Sequence, residues 1–229
     1  LEANKATGYN ITFTNMDPGA AATAAQQNDA KVKNIFVWNP FVLQTLKNRK
    51  DMHVLGNSRQ IPLEIVDMVV VGEDTLNKKG GEAFAKCLAD GYYQLNVRLN
   101  DPSTKDETLI AIGEKFSSLG LADMRKVIDQ TRFFGTAEAG INLFSNAPVS
   151  IDSTPKTTFR EVMDRVVARC IKLEMVDKKV TIAYGSDSEA KKANLRFDPQ
   201  YMIAVAPAAT AKSNPTSTPV TVPVKDNGK

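Results

Sequence analysis

The first two junctions of an acidic or amide side chain with proline, 22 residues apart, constrain this chain more than any other feature. Asp17-Pro18 follows the alternating Ile11-Thr12-Phe13-Thr14 and the pair Asn15-Met16, and Asn39-Pro40 follows the apolar run Ile35-Phe36-Val37-Trp38. A capping side chain with proline next to it marks a helix start, because the N–H that proline lacks would have no partner there. The alanine-rich Ala20 to Gln27 and then Phe41, Leu43 and Leu46 continue each start as a helix. The spacing predicts strand, helix, strand, helix with short links, which is α/β architecture.

Downstream the pattern turns helical. Ile65 to Val71 reads as one more strand, ended by Gly72. Phe84, Leu88, Tyr92, Leu95 and Leu99 then fall at helical spacing. Thr104 with Glu107, and Thr158 with Glu161, have the spacing of capping boxes. The first precedes Leu109, Ile112 and Phe116. The second precedes the clearest apolar stripe in the chain: Phe159, Val162, Met163, Val166, Val167 and Cys170. Gly80-Gly81 reads as a helix start. Three or four strands, crowded into the first third, are too small a sheet for six or seven helices, so strands that should complete it are expected elsewhere. From Ile203 onward there is no Leu, Phe, Trp or Tyr, and Pro207, Pro215, Pro219 and Pro223 lie among small and hydroxylated residues. Such a segment reads as a disordered tail.

Composition narrows the function. With 42% hydrophobic and 24% charged residues among 229, the chain is an ordinary globular one. No apolar run is long enough to span a bilayer. Two cysteines, Cys87 and Cys170, do not make a disulfide scaffold, and a single histidine, His53, excludes a multi-histidine metal centre. Both cysteines fall on predicted core faces and are expected as free thiols. The tail holds Lys212, Lys225 and Lys229 against Asp226, leaving the first 202 residues near neutrality despite a net charge of +3. That is no footprint for nucleic acid. The chain opens on Leu1 with no leader segment in view, which reads as a processed product or a fragment.

Several short motifs, in order, resemble one family. They are Thr14-Asn15-Met16-Asp17 before an alanine-rich helix, Val37-Trp38-Asn39-Pro40 closing a strand, and Val54-Leu55-Gly56-Asn57-Ser58. Next come Asp67-Met68-Val69-Val70-Val71-Gly72, then Asp123-Met124 with Thr131-Arg132-Phe133-Phe134, and last Asn194-Leu195-Arg196-Phe197-Asp198. Together they are similar to the later part of the periplasmic solute-binding proteins of ABC importers, in the branch for nitrate, sulfonate, taurine and thiamine precursors. The resemblance spans about residues 8 to 202. It implies part of a two-lobe periplasmic-binding-protein type II fold: residues 1–58 ending the second lobe, 59–202 returning into the first, and 203–229 a tail. The early strands of the first lobe have no counterpart here.

Solute binding needs a cleft with a few placed polar groups and a hinge, with no catalyst. Trp38 and Asn39 are the leading ligand-binding candidates. The free N–H groups of Phe41 and Val42 and the helix dipole would favour an anionic head group. Read from the residues alone, Trp38 is a core aromatic and Asn39 only an N-cap; the resemblance favours the ligand-binding reading instead. Asn15 and Asp17 occupy the other corner, where Asp17 would repel an anion and serve mainly as a cap. The resemblance implies transport without catalysis or cofactor, an ABC permease and ATPase as partners, a monomer, and a periplasmic or lipid-anchored location. A thiamine-pyrimidine synthase of the same fold would need cysteines and histidines around iron. A sensor or structural module is the third possibility.

Overall fold

The computed structural model describes residues 13–145, 147–149, 157–177, 179–185 and 190–212, the last six by backbone alone. The chain divides into two compact units, Leu1–Leu55 and Gly56–Lys229.

In the first unit, α1 (Pro18–Gln26) and α2 (Phe41–Asn48) lie side by side and parallel. At their N-terminal ends Gly19 abuts the Phe41 ring, and a Cβ on Gly19 would stand 3.4 Å from Phe41 Cε1. At their C-terminal ends Asn48 Nδ2 donates to Gln26 Oε1 at 2.8 Å, and Gln26 Nε2 donates to Thr45 Oγ1 at 3.5 Å. Ala22, Ala25 and Thr45 are buried between them. Small residues are what permit so close an approach. Arg49 closes the far end by donating to the Ala25 carbonyl while forking onto Asp51 at 2.8 and 2.6 Å.

The expected strands do not form as ladders. Ile11 and Thr12 lie outside the described residues, and neither Phe13-Thr14 nor Ile35 to Trp38 joins a strand pair. A strand is defined by its neighbour, and none is available among the described residues of this unit. Phe13 and Phe36 are 84% and 87% exposed in consequence. Ile65 to Val71 behaves the same way in the second unit, where Val69 and Val70 are 70% and 71% exposed.

The second unit is mostly helical: α3 (Glu73–Leu76), α4 (Gly81–Asn100), α5 (Lys105–Phe116), α6 (Leu121–Gln130), α7 (Ala137–Phe144), α8 (Phe159–Lys172) and α9 (Gln200–Lys212). The only described strands are β1 (Ile182–Tyr184) and β2 (Leu195–Phe197), which pair in parallel, Ile182 opposite Leu195. A mutual clasp fixes their register: Thr181 N–H and hydroxyl donate to Asn194 Oδ1 at 2.9 and 3.0 Å, and Asn194 N–H donates to Thr181 Oγ1 at 3.1 Å.

Among the described residues, three apolar clusters hold this unit. Leu63, Leu143, Phe159, Val162, Met163 and Phe197 form the first, with Phe144 stacked on Phe159 and Phe197 edge-on to both. Tyr93, Ala137 and Val205 tie α4, α7 and α9 together. There Gly140 leaves room for Tyr93 and Met202, since a Cβ would stand 2.6 Å from Tyr93 Oη. Leu99, Leu109, Leu119 and Met124 join α4, α5 and α6.

Four details differ from the sequence expectations. The buried face of α4 runs through Ala85, Tyr93, Asn96 and Leu99, so Phe84 is half exposed and Cys87 lies on the surface. Thr104 does not build a capping box; its hydroxyl donates to the Arg98 carbonyl at 2.9 Å. Phe116, expected on the stripe of α5, is 74% exposed. Residues 203–212 continue α9, because Met202, Val205 and Ala206 pack against α4 and α7; residues 213–229 lie outside the described ones. By contrast, Gly80-Gly81 starts α4 as expected. Gly80 has φ +85°, and a Cβ on Gly81 would fall 2.0 Å from the Thr75 carbonyl oxygen.

Candidate functional site

Because α1 and α2 run parallel, both corners that precede them sit at one end of the pair. The four sequence-selected residues, Asn15, Asp17, Trp38 and Asn39, therefore belong to the same end of the first unit.

The two helix starts are not equivalent. At α1, Asp17 Oδ1 accepts from Gly19 N–H at 2.9 Å and Ala20 N–H at 3.0 Å. The orphan donors of that turn are thus already satisfied by a carboxylate. Asp17 is a capping residue, as its position before proline suggested. Asn15, two residues earlier, is exposed and makes no hydrogen bond with another described residue.

At α2 the cap residue is Pro40, one position later than the sequence suggested, and no side chain caps the turn. Asn39 is half buried in the turn, joined to Pro40 by a cis peptide. The Val42 N–H, expected free, donates to the Trp38 carbonyl at 3.2 Å. Phe41 N–H has no acceptor among the described residues. Trp38 is 62% exposed, so it is not a core aromatic of this unit. This corner joins an open backbone donor, the positive end of a helix and an uncovered indole. Chemically it suits a small anion that carries an apolar or flat portion.

Sequence reasoning found these corners through proline and missed Gly19. The signal was there: a glycine directly after Asp17-Pro18 lets the Phe41 ring approach the start of α1.

Titratable groups elsewhere do different work. Burial pushes Tyr184 up to about 12, with Asp164 adding to the shift and Arg160, stacked over the ring at 4.3 Å, opposing it. Burial also pushes Tyr93 up to about 12. Both phenols stay neutral at ordinary pH and act as packing groups. Arg196, 10% exposed, is held between Asp198 at 3.2 Å and Glu73 at 3.4 Å. Asp198 in turn accepts from Gln200 N–H at 3.0 Å, so this ion network fixes the start of α9. Among the described residues no group of three or more His, Cys, Asp or Glu is placed to hold a metal, and no helix is long and apolar enough to cross a membrane. No family model, curated protein or solved structure matches the chain.

Proposed function

We propose that this chain supplies one wall of the ligand cleft in the solute-binding component of an ABC importer, for a small anionic or nitrogen- or sulfur-containing solute. The observation that supports this most directly is the first unit itself. It has two parallel helices, each preceded by a β-prone segment, with both corners at one end and Trp38 exposed beside the uncapped start of α2. In open α/β sheets ligands bind at such strand-to-helix corners. The opposite wall, and the strands that would flank residues 13–16, 34–38 and 66–71, come on this reading from polypeptide outside the present sequence. That polypeptide completes a two-lobe type II fold. The component catalyses nothing, works as a monomer outside the cytoplasm, and hands its solute to a permease driven by an ATPase subunit.

The test uses the protein purified from its native host with whatever polypeptide accompanies it. Thermal shifts are recorded with nitrate, taurine, methanesulfonate and a hydroxymethylpyrimidine. Stabilisation by one of these that Trp38→Ala removes supports the reading. No shift with any of the four, or a shift that Trp38→Ala leaves intact, contradicts it.

A further inference from the structure

A groove of about 340 Å³ in the second unit, remote in sequence from the corners above, has its own chemistry. Its floor is apolar: Ile61, Val166, Cys170, Leu173 and Met175. Both walls are fixed. Leu63, 6% exposed with φ +62°, anchors the 61–64 turn in the core beside Val162 and Met163. On the other side α8 ends in a Schellman-type turn, where Met175 N–H donates to the Cys170 carbonyl at 2.9 Å and Glu174 adopts φ +56°. That turn brings Met175 and Cys170 to the same groove. Ile61, Leu173 and Met175 nonetheless remain 40%, 60% and 70% exposed, so the apolar floor is open to solvent.

The rim is basic. Arg165 and Arg169 stand one helical turn apart on α8. Glu64 reaches Arg165 only at 4.0 Å, beyond hydrogen-bond length. Arg169 makes no ion pair or hydrogen bond through its guanidinium among the described residues. Arg165 also donates to the Glu161 carbonyl at 3.3 Å and is one turn from the Glu161 carboxylate, so the positive charge the rim has to spare is that of Arg169. An apolar pocket near the lower end of the roughly 300–1,000 Å³ range of ligand sites, with a few polar groups at its mouth, selects for a compact amphipathic molecule.

We propose that this groove binds a medium-chain carboxylate, the acyl chain lying over Val166, Cys170 and Met175 and the carboxylate meeting Arg169 and Arg165. The proposal is independent of the transport reading, since no residue of the first unit takes part. Cys170 in the floor and Cys87 on the surface of α4 provide a built-in comparison.

The full chain is alkylated with iodoacetamide in the presence of octanoate below its micelle concentration, and the rates at the two cysteines are read separately by peptide mass spectrometry. Octanoate slows alkylation of Cys170 by at least about fivefold near saturation and leaves Cys87 unchanged. Arg169→Glu, on an exposed position, raises the octanoate concentration required by about tenfold, and octylamine does not protect. No slowing at Cys170, equal slowing at both cysteines, or protection that octylamine and Arg169→Glu reproduce overturns the proposal.

Discussion

Thr158 secures the start of α8 by a reciprocal pair of bonds. Its hydroxyl accepts from Glu161 N–H at 3.2 Å, while Glu161 Oε2 accepts from Thr158 N–H at 2.8 Å. Thr158→Ala therefore lowers stability by about 1 kcal/mol in denaturant unfolding, with the slope unchanged. Asp51 behaves differently because its contribution depends on pH. Its bond to Arg49, aided by backbone hydrogen bonding, holds its carboxyl down at about 2 against an ordinary 3.8. A depressed folded value stabilises above the unfolded value and is lost as pH falls through the folded one. Asp51→Asn accordingly lowers the melting temperature slightly at pH 6, and the gap to the parent closes between about pH 4 and pH 2. A gap of constant size across that window would show that the Arg49 pair is irrelevant to folding. Trp38 contrasts with both residues. At 62% exposed its replacement by Ala costs less than about 0.5 kcal/mol of stability, so a loss of ligand stabilisation in that variant would not be a loss of fold.

At the scale of elements, what the sequence made legible was whatever is decided locally. The helix starts at Asp17-Pro18 and Thr158, the stripe of α8 and the glycine start of α4 all depend on residues within one or two turns of each other. The buried face of α4 was misread in part. Ala85 and Tyr93 are buried where Phe84 and Tyr92 were expected, whereas Leu99 is buried as expected and Tyr92 and Leu95 pack at the edge of the core. The packing partner of that face is α9, whose composition resembles a tail until Val205 is seen to be buried against Tyr93. Outside hairpins strand pairing is not local, so β-prone runs at 35–38 and 65–71 identified strand candidates but not their neighbours. The corners of the candidate site were legible through proline. The use of Val42 N–H by Trp38 was not, and neither was the groove, which joins residues 61–64 to residues 165–175. Val69 and Val70 are adjacent and both exposed, so the segment is open on both faces. Continuous apolar runs of this kind belong to strands covered on both sides. Val70→Asp is thus expected to change the unfolding free energy of this chain by less than about 0.5 kcal/mol, where a buried strand valine would cost several times more.

At the scale of the whole molecule, three separate β-prone stretches have no ladder partner among the described residues, and each leaves large apolar side chains exposed. Isolated exposure of an apolar residue needs no explanation, but exposure of Phe13, Phe36, Trp38, Val69 and Val70 at such stretches is what the proposed function expects of strands whose neighbours lie elsewhere. The link between the units is similarly open, with Val54 and Leu55 52% and 77% exposed and no regular structure from residue 53 to residue 57. Limited proteolysis is expected to cut there first and release a fragment beginning near Gly56. The central claim, that residues 66–71 are an interior strand awaiting neighbours, is tested most directly by amide hydrogen exchange on that peptide. In this chain alone the account predicts complete exchange at the earliest time point, alongside strong protection in α8, and slow exchange once the native accompanying polypeptide is present. Protection of residues 66–71 in the isolated chain, or none in the native assembly, would contradict it.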